Sequence, residues 1–364
     1  MAQRICLNMI VKNEAHVIRR CLESVRPLIT DWLIVDTGST DGTQALIQDL
    51  MSDLPGGLVE RPWVNFAHNR TEALNLAPAD VDYLLFIDAD EEMVVSPNFE
   101  LPQLTDDAYM LPVQFGGTHY LRLQLARRSL PWRWEGVLHE HLAGADPYTR
   151  GELQGVYTVP RPEGARSLDP DKYKKDALVL EEALKQDPRN SRYVFYLAQS
   201  YRDAQQPEQA LSTYERRASM GGWPEEVWYS QYQMARLRDT LGRPWPEVMA
   251  TYLEAYQTQP ARAETLYRIG MHYQHLKAFA TAHLFLSQAA TLPALPGFLF
   301  AEHEIYQFHA RLEAAVAEYY LGRHADALTR YDDLLGDPNL PPRIQTLIRQ
   351  NQAFSHKALG LVLT

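Results

Sequence analysis

Short apolar runs and stretches of helical periodicity alternate along the first 93 residues of the chain. The runs RICLNMIV, WLIVD and YLLFI predict buried strands, because strands covered on both faces lose the polar alternation. Between these runs, apolar residues recur at helical spacing, as in EAHVIRRCLESV. Strands are therefore predicted at residues 4–11, 32–36 and 83–87, and helices at 14–25, 40–51 and 66–77.

This alternation indicates βαβ units and a mostly parallel sheet, as in an α/β, Rossmann-like domain. Ligands of such sheets bind beyond the carboxyl ends of the strands. Asp36 and Asp88 each follow a predicted strand, so both are expected at that edge of the sheet.

The second half of the chain has only helical periodicity and contains internal repeats. Around 191–224 and 263–293, alanine, leucine and tyrosine recur with a spacing that resembles tetratricopeptide repeats, whose period is about 34 residues. The stretches 225–260 and 310–338 fit this spacing only with small insertions or deletions. An all-α solenoid of about four repeats is therefore predicted.

A segment rich in proline, glycine and charge, VPRPEGARSLDPDK, separates the two halves and is typical of a linker. The predicted organisation is a catalytic domain at 1–160, a linker at 161–175 and the helical repeats at 176–364, with 172–187 as a candidate capping helix.

Charge and cysteine content narrow the classes of function. The formal net charge of -11 disfavours a general affinity for nucleic acid or anionic membranes. Cys6 and Cys21 lie in an apolar run and on a predicted helix, so we expect both to be buried thiols in a reducing compartment. No secretory signal and no apolar stretch of membrane-spanning length is apparent, which favours a cytoplasmic protein with no integral membrane segment.

The stretch IVDTGSTDGT at residues 34–43 contains Asp-Thr-Gly-Ser, a sequence typical of the catalytic loops of aspartic proteases. Those enzymes need two carboxylates that share a proton, and hence two such loops. This chain has one Asp-Thr-Gly, and helical periodicity follows it directly, which argues against a protease. Asp36 at a strand end can instead receive a nucleotide base or ribose, with Gly38 allowing close approach of the backbone. A turn that binds no ligand is the alternative.

A second acidic motif, FIDADEEM, places Asp88 and Asp90 just past a buried strand. Two carboxylates at this spacing suit a hard divalent cation, Mg²⁺ or Mn²⁺, which also holds the phosphates of a nucleotide-sugar. The alternative is an acidic cluster that binds no metal, because acidic residues also gather at strand ends where they are solvated. The presence of Asp36 at the end of a neighbouring predicted strand favours the metal site.

The stretches MIVKNEAHVIRRCLESV, WLIVDTGSTDGT, FAHNRTEAL and YLLFIDADEEM occur in the order seen in family 2 glycosyltransferases, and the chain resembles that family. The resemblance implies the GT-A fold. The helical half resembles bacterial and phage members in which repeats follow such a transferase, with the sublancin peptide glycosyltransferase among their relatives.

The resemblance also implies roles for individual positions. In this family the carboxylate after the second strand accepts from the uracil imide N–H, a role that corresponds to Asp36. Asp88 is expected to contact the ribose or the metal, and Asp90 to ligate the metal. The implied nucleotide-sugar site comprises Val11, Asn13, Glu14, Asp36, Gly38, Ser39, Asn69, Arg70, Asp88 and Arg127. Arg70 has a second interpretation as a solvated helix residue.

The stretch RRSLPWRWEGVLHEHL supplies the remaining candidates. The resemblance favours His139 over His141 as a third metal ligand. An inverting transfer needs a general base, for which both Glu140 and Glu135 are placed, with Glu140 slightly preferred. Arg127 belongs to a local basic cluster with Arg128 and Arg133, which either binds the diphosphate or is a solvated strand edge.

The sequence thus predicts a metal-dependent inverting glycosyltransferase that uses a nucleotide-sugar, preferably a UDP-hexose or UDP-N-acetylhexosamine. The acceptor is a hydroxyl or thiol on a saccharide or peptide, and a hydroxymethylated base of phage DNA is an alternative. A scaffold with a degenerate transferase domain is the non-enzymatic alternative. The repeats are expected to bind the acceptor or a second copy of the chain.

Overall fold

The computed structural model describes residues 3–115, 118–144, 147–295 and 297–361. The chain divides into two compact units, Met1–Pro188 and Arg189–Thr364. All of the described strands lie in the first unit, and the second is built from helices.

Parallel strands form the half of the first unit's sheet that carries the acidic strand ends. The strands are β1 (Ile5–Val11), β2 (Asp31–Asp36), β3 (Gly56–Glu60) and β4 (Tyr83–Phe86), in the order β3-β2-β1-β4. They are connected by α1 (Ile18–Val25), α2 (Thr43–Leu50) and α3 (Phe66–Leu76). The predicted alternation of strands and helices is confirmed. The sequence did not predict β3, because GGLVE lies half-exposed at the sheet edge and its glycines interrupt the apolar pattern.

Local hydrogen bonds decide where the first two helices begin. α1 begins at Ile18, later than predicted, because the Val17 amide donates to the Glu14 carbonyl (3.0 Å) in a turn, and Val17 itself is not helical (φ -121). α2 begins at Thr43, after Gly42 in the left-handed region (φ 91). The Asp41 carboxylate accepts from the Thr43 amide (3.1 Å) and so satisfies one of the free donors of the first turn.

Beyond β4 the sheet continues with both antiparallel and parallel pairings. The added strands are β5 (Glu91–Val95), β6 (Ala108–Phe115), β7 (Thr118–Arg127), β10 (Arg150–Glu152) and β11 (Val156–Pro160), and the order continues β4-β7-β6-β11-β5, with β10 beside β6. A separate hairpin is formed by β8 (Arg133–Glu135) and β9 (His141–Ala143). The sheet is mixed but mostly parallel, as predicted.

Two apolar layers cover the two faces of the sheet, because side chains alternate along each strand. Alternate residues of β1, such as Leu7 and Met9, pack with the buried side of α1, including Cys21. Cys6 faces the other layer with Phe86. Both cysteines are buried and form no disulfide, as expected.

The second unit is a series of helices, each of which packs against the next one along the chain. After α4 (Lys172–Gln186), which belongs to the first unit, the helices are α5 (Ser191–Asp203), α6 (Pro207–Ser219), α7 (Pro224–Thr240), α8 (Trp245–Thr258), α9 (Glu264–His275), α10 (Phe279–Ala289), α11 (Ala310–Tyr320), α12 (His324–Leu335) and α13 (Pro342–Ala358). The small residues of the predicted repeats lie at helix crossings. A Cβ on Gly270 of α9 would lie 2.6 Å from Cγ of Leu286 on α10. Within the described ranges, no helix is long and apolar enough to cross a bilayer.

Candidate active site

The ends of β1, β2 and β4 meet at one edge of the sheet. Val11 and Asp36, the last residues of β1 and β2, are directly paired. β4 lies on the other side of β1, and Asp88 follows its end by two residues. The sequence prediction that Asp36 and Asp88 share this edge is confirmed.

Asp36 is fully buried (0% exposed) and its two carboxylate oxygens have different surroundings. Oδ1 accepts from the amides of Gly38 and Ser39 (both 2.9 Å) and from Nε2 of Gln44 (3.1 Å). Oδ2 is buried and accepts from no described residue. A buried acceptor without a partner is unfavourable, so this oxygen is available to an N–H donor of a ligand. Gly38 lies in the left-handed region (φ 103), which explains the glycine at this turn.

The loop after β1 is tied to the loop after β2. The Asn13 amide donates to Oγ of Ser39 (2.8 Å), and Oδ1 of Asn13 accepts from the Thr40 amide (2.8 Å). Asn13 itself is left-handed (φ 57), a conformation that asparagine tolerates better than most residues. The Val11 side chain lies in the core, and its carbonyl accepts from Thr37 (2.9 Å). Val11, Asn13 and Ser39, which the sequence predicts in the nucleotide-sugar site, therefore shape the two loops that surround Asp36.

Arg70 on α3 lies between two carboxylates. Its Nε donates to Oε1 of Glu140 (2.7 Å), and its Nη2 donates to Oδ1 of Asp88. The guanidinium also lies over the ring of Trp134, 5.1 Å from its centroid. The Arg70 side chain is only 11% exposed, so it is not a solvated helix residue. The neighbouring Asn69 is buried, and its side-chain amide is engaged with the backbone of the loop before α3.

The Asp-x-Asp pair has contrasting electrostatics. Burial by itself would raise the pKa of Asp88, but the charges of Arg70 and Arg122 lower it below its ordinary value. Burial and the charge of Asp88 raise the pKa of Asp90. Arg122 also pairs with buried Glu91 (2.5 Å). Burial and the neighbouring Asp88 thus both disfavour the charged form of Asp90, and a bound cation would favour it.

The carboxylates at this edge suit a divalent cation that is also coordinated by a bound substrate. Asp88 and Asp90 offer hard carboxylate oxygens, and Mg²⁺ typically uses one or two carboxylates together with substrate phosphates. In the part of the chain that the structure describes, no group of three or more His, Cys, Asp or Glu residues is arranged to hold a metal. The structure therefore does not bring His139 into a three-residue protein cluster with the two aspartates.

The β8–β9 hairpin separates the two candidate bases. Trp134 and Leu142 face the core, so Glu135 and His141, which are paired across the strands, project from the opposite face. Glu135 is 41% exposed and lies 4.0 Å from Nε2 of His141. Glu140, which is 12% exposed, contacts Arg70 and through it Asp88. Only Glu140 of the two belongs to the network at the strand ends.

His139 lies at the tip of the same hairpin. It adopts a left-handed backbone (φ 51), which is uncommon for a residue other than glycine. The hairpin also requires Gly136, where a Cβ would lie 3.2 Å from Cα of Glu140.

Arg127 lies away from the carboxyl-end site that contains Asp36 and Asp88. It is paired with Tyr83 at the amino end of β4, about 16 Å along the strand from Asp88. Its guanidinium pairs with Asp107 (3.2 Å) and donates to the Thr105 carbonyl (2.6 Å). The structure does not bring this predicted diphosphate ligand to the carboxyl-end site, because β7 runs antiparallel to β4. The other two arginines of the cluster are engaged with the Ala77 carbonyl (Arg128) and Glu135 (Arg133).

Glu14 lies at the start of the turn before α1, with its carboxylate half-buried. Oε2 accepts from the amide of Ala165 (3.3 Å). Burial raises the pKa of Glu14 to about 7, although the hydrogen bond from Ala165 favours the charged form and lowers it. The negative charge of Asp90 raises it further. Ala165 belongs to the segment that the sequence predicts as a linker, so this contact was not foreseen.

Sequence reasoning also missed Gln44, Glu91 and Arg122. Glu91 stands within the acidic run after β4, which was a usable signal. Gln44 and Arg122 reach the site through α2 and β7, and no motif marks them.

Residues 6–106 match the family model described as Glycosyl transferase family 2. The match extends from β1 to the loop before β6.

Curated relatives include both a repeat protein and a glycosyltransferase. The chain is 33% identical over 149 residues to a TPR repeat-containing protein of Synechococcus elongatus, which covers 38% of this chain and 35% of that protein. It is 33% identical over 91 residues to an uncharacterized glycosyltransferase of Rickettsia felis, with 25% and 30% covered. The chain thus spans about a third of the length of these relatives.

Among solved structures, the C-terminal part of a TPR repeat-containing protein from Cytophaga hutchinsonii matches with a TM-score of 0.40 and 14% identity, covering 52% of this chain and 67% of that one. The matched segment, from residue 6 to residue 106, contains Asp36, Asp88 and Asp90.

Proposed function

We propose that the chain is a metal-dependent, inverting glycosyltransferase that transfers a hexose or N-acetylhexosamine from a UDP-sugar. The observation that carries this proposal is the Asp36 carboxylate, whose Oδ1 is saturated while the buried Oδ2 has no donor among the described residues. The imide N–H of uracil supplies such a donor. Cytosine presents an acceptor at the same ring position, so Asp36 favours uridine nucleotides.

The remaining contacts of the donor follow from the positions of the acids. Asp88 lies two residues beyond the end of β4, where it is available to the ribose or to a cation. A divalent cation held by Asp88 and Asp90 would neutralise charge on the departing diphosphate. Arg70 places a guanidinium beside Asp88, which limits the repulsion between that acid and the diphosphate.

We assign the general base to Glu140. In an inverting transfer, the acceptor oxygen or sulfur bonds to the anomeric carbon as the bond from that carbon to the diphosphate breaks. The acceptor's proton passes to the base in the same step. Glu140 is linked to the strand ends through Arg70, whereas Glu135 projects from the other face of the hairpin.

We propose a hydroxyl or thiol of a peptide or saccharide as the acceptor, in keeping with the suggested kinship to the sublancin peptide glycosyltransferase. A DNA base is a weaker alternative, because Arg127 and Arg133, two arginines that could contact a nucleic-acid backbone, are paired with acids. We assign acceptor binding or self-association to the repeats, which expose aromatic side chains such as Trp223 and Tyr320. Two buried thiols that form no disulfide support a cytoplasmic location.

The proposal is tested by incubating the full chain with individual nucleotide-sugars and Mn²⁺ and following hydrolysis by mass spectrometry. UDP-sugars should be hydrolysed and CDP-sugars should not, and Asp90→Asn should abolish the reaction. Turnover that is unchanged in Asp90→Asn would refute the metal assignment. The absence of any nucleotide-sugar turnover or UDP binding would favour the scaffold alternative.

A further inference from the structure

The segment 161–167, here called the strap, follows the last strand of the sheet. β11 pairs with β5, so that Pro160 lies opposite Glu91, and the chain leaves the sheet beside the acidic motif. The Arg161 amide then donates to the Asp90 carbonyl (2.9 Å), and the Arg161 side chain pairs with Glu92 (2.8 Å). The strap therefore begins in contact with the β4–β5 connection.

The middle of the strap donates hydrogen bonds to two acids at the site. The Gly164 amide and the Ser167 hydroxyl lie 3.3 and 3.5 Å from Oδ2 of Asp90. The next amide, that of Ala165, donates to Oε2 of Glu14 (3.3 Å). Consecutive main-chain N–H groups thus hold carboxylates that come from two different strand ends. Such donors compensate negative charge without adding a cation of their own.

Side-chain contacts anchor the strap on the far side of these acids. The Glu163 carboxylate pairs with Arg20 (2.7 Å), and the Glu163 carbonyl lies 2.6 Å from Nε2 of His16. The Arg166 guanidinium lies over the ring of Phe66, 4.6 Å from its centroid. The contacts reach α1, the turn before it and α3, which surround the strand ends. A segment that merely joined two domains would not need them.

The strap comes closest to the Asp90 carboxylate at Gly164. A Cβ at this position would lie 2.9 Å from Oδ2 and 3.1 Å from Cγ of Asp90. The backbone conformation does not require glycine here, because the φ angle of Gly164 is not in the left-handed region. The glycine is therefore explained by the close approach of the strap to the carboxylate.

We propose that the strap is part of the donor site and that Gly164, Ala165 and Ser167 are positioning residues for Asp90 and Glu14. By holding one oxygen of Asp90, the strap aims the carboxylate at the cation of the donor complex. Carboxylates that bind metals are commonly oriented by such outer hydrogen bonds. This inference rests on the proposed function, because it assigns the strap to that donor site.

The test measures Mn²⁺ binding to the full chain in the presence of saturating UDP, by calorimetry and by the electron paramagnetic resonance signal of free Mn²⁺. Gly164→Ala should raise the Mn²⁺ dissociation constant about 10-fold or more, as is typical for outer hydrogen-bond partners of metal ligands. Ser167→Ala removes a longer contact of 3.5 Å and should raise the constant less, about 3-fold. Gly57→Ala is the matched control, because a Cβ on Gly57 of β3 meets nothing within 4 Å. It should bind Mn²⁺ like the wild type.

Ser167→Ala removes only a hydroxyl and keeps the test decisive if Gly164→Ala fails to fold. A second measurement follows trypsin cleavage after Arg166, which UDP and Mn²⁺ should slow if they hold the strap in place. Wild-type Mn²⁺ affinity in both strap variants, together with unchanged cleavage, would overturn the strap's role while leaving the proposed function intact. If the wild-type protein bound no UDP with Mn²⁺, the proposed function itself would fall, and the strap's role with it.

Discussion

The Nε atom of Arg70 lies 2.7 Å from Oε1 of Glu140, and the same guanidinium binds Asp88. One cation thus connects the proposed base to the acid beyond β4, across a sequence separation of 70 residues from Arg70 to Glu140. Arginine can bridge two carboxylates because its donors form a rigid planar fork, which lysine lacks.

Arg70→Lys should therefore retain the charge and lose the bridge. We expect kcat/KM to fall about 30-fold, equivalent to about 2 kcal/mol for a lost charge-assisted hydrogen bond. Arg127→Lys is the matched control, because Arg127 lies at the other end of β4 and its pairing with Asp107 is outside the site. Steady-state kinetics with a UDP-sugar compare the two. Equal losses in both variants would contradict the role of Arg70.

The two glutamates of the hairpin give a matched pair. Glu140→Gln removes the proposed base while retaining the size of the side chain, and transfer should fall by about 100-fold or more. Glu135→Gln should retain most of the activity, because Glu135 projects from the opposite face. UDP binding measured by calorimetry should survive in both. A larger loss of transfer in Glu135→Gln would reverse the assignment.

The raised pKa of Glu14 predicts how the stability of the folded protein depends on pH. Its folded pKa of about 7 exceeds the ordinary 4.5, so between these values the folded protein holds a proton that the unfolded chain releases. The contribution of Glu14 to the free energy of unfolding therefore falls as pH rises from 4.5 to 7 and is constant outside that window. Asp90, His16 and Asp41 are the charged neighbours that modulate it.

Urea unfolding at a series of pH values tests this dependence. Glu14→Gln should be less sensitive to pH between 4.5 and 7 than the wild type. Glu23→Gln, on the exposed side of α1, should follow the wild-type curve. Parallel curves for the wild type and Glu14→Gln would show that Glu14 is not protonated in this window.

The packing of the helical unit can be tested where α9 crosses α10. Gly270→Ala places a methyl group 2.6 Å from Leu286, and overpacking of this kind should lower the free energy of unfolding by about 1–3 kcal/mol. Gly336→Ala is the control, because its nearest neighbour lies at 3.4 Å and its backbone is right-handed. Thermal unfolding that is equal in the two variants would contradict the predicted packing at this crossing.

Local patterns predicted most of the parallel half of the sheet. β1, β2 and β4 are continuous apolar runs, so their burial and the position of Asp36 and Asp88 at one edge followed from the sequence. β3 escaped prediction because an edge strand needs no apolar run. The repeats were visible because close helix crossings demand small residues at fixed spacing.

Features that depend on long-range register could not be predicted. Arg127 belongs to a basic cluster in the sequence, but the antiparallel pairing of β7 with β4 places it beside Tyr83, away from Asp88. The strap resembles a linker in composition, and only the fold brings Gly164 to Asp90, 74 residues away. The separation of Glu135 from Glu140 depends on which face of a short hairpin is buried. Hydrophobic periodicity carries none of this information.

The most direct test of the central claim is a calorimetric titration of UDP and CDP, with Mn²⁺, into the wild-type protein and Asp36→Asn. Asparagine can keep accepting from Gly38 and Ser39, but it presents an N–H where the aspartate presents an acceptor. The wild type should prefer UDP over CDP about 30-fold, from about 2 kcal/mol for a hydrogen bond to a charged group, and Asp36→Asn should lose or reverse that preference. The same preference in both proteins, or no binding of UDP to the wild type, would contradict the assignment of Asp36 to the uracil base.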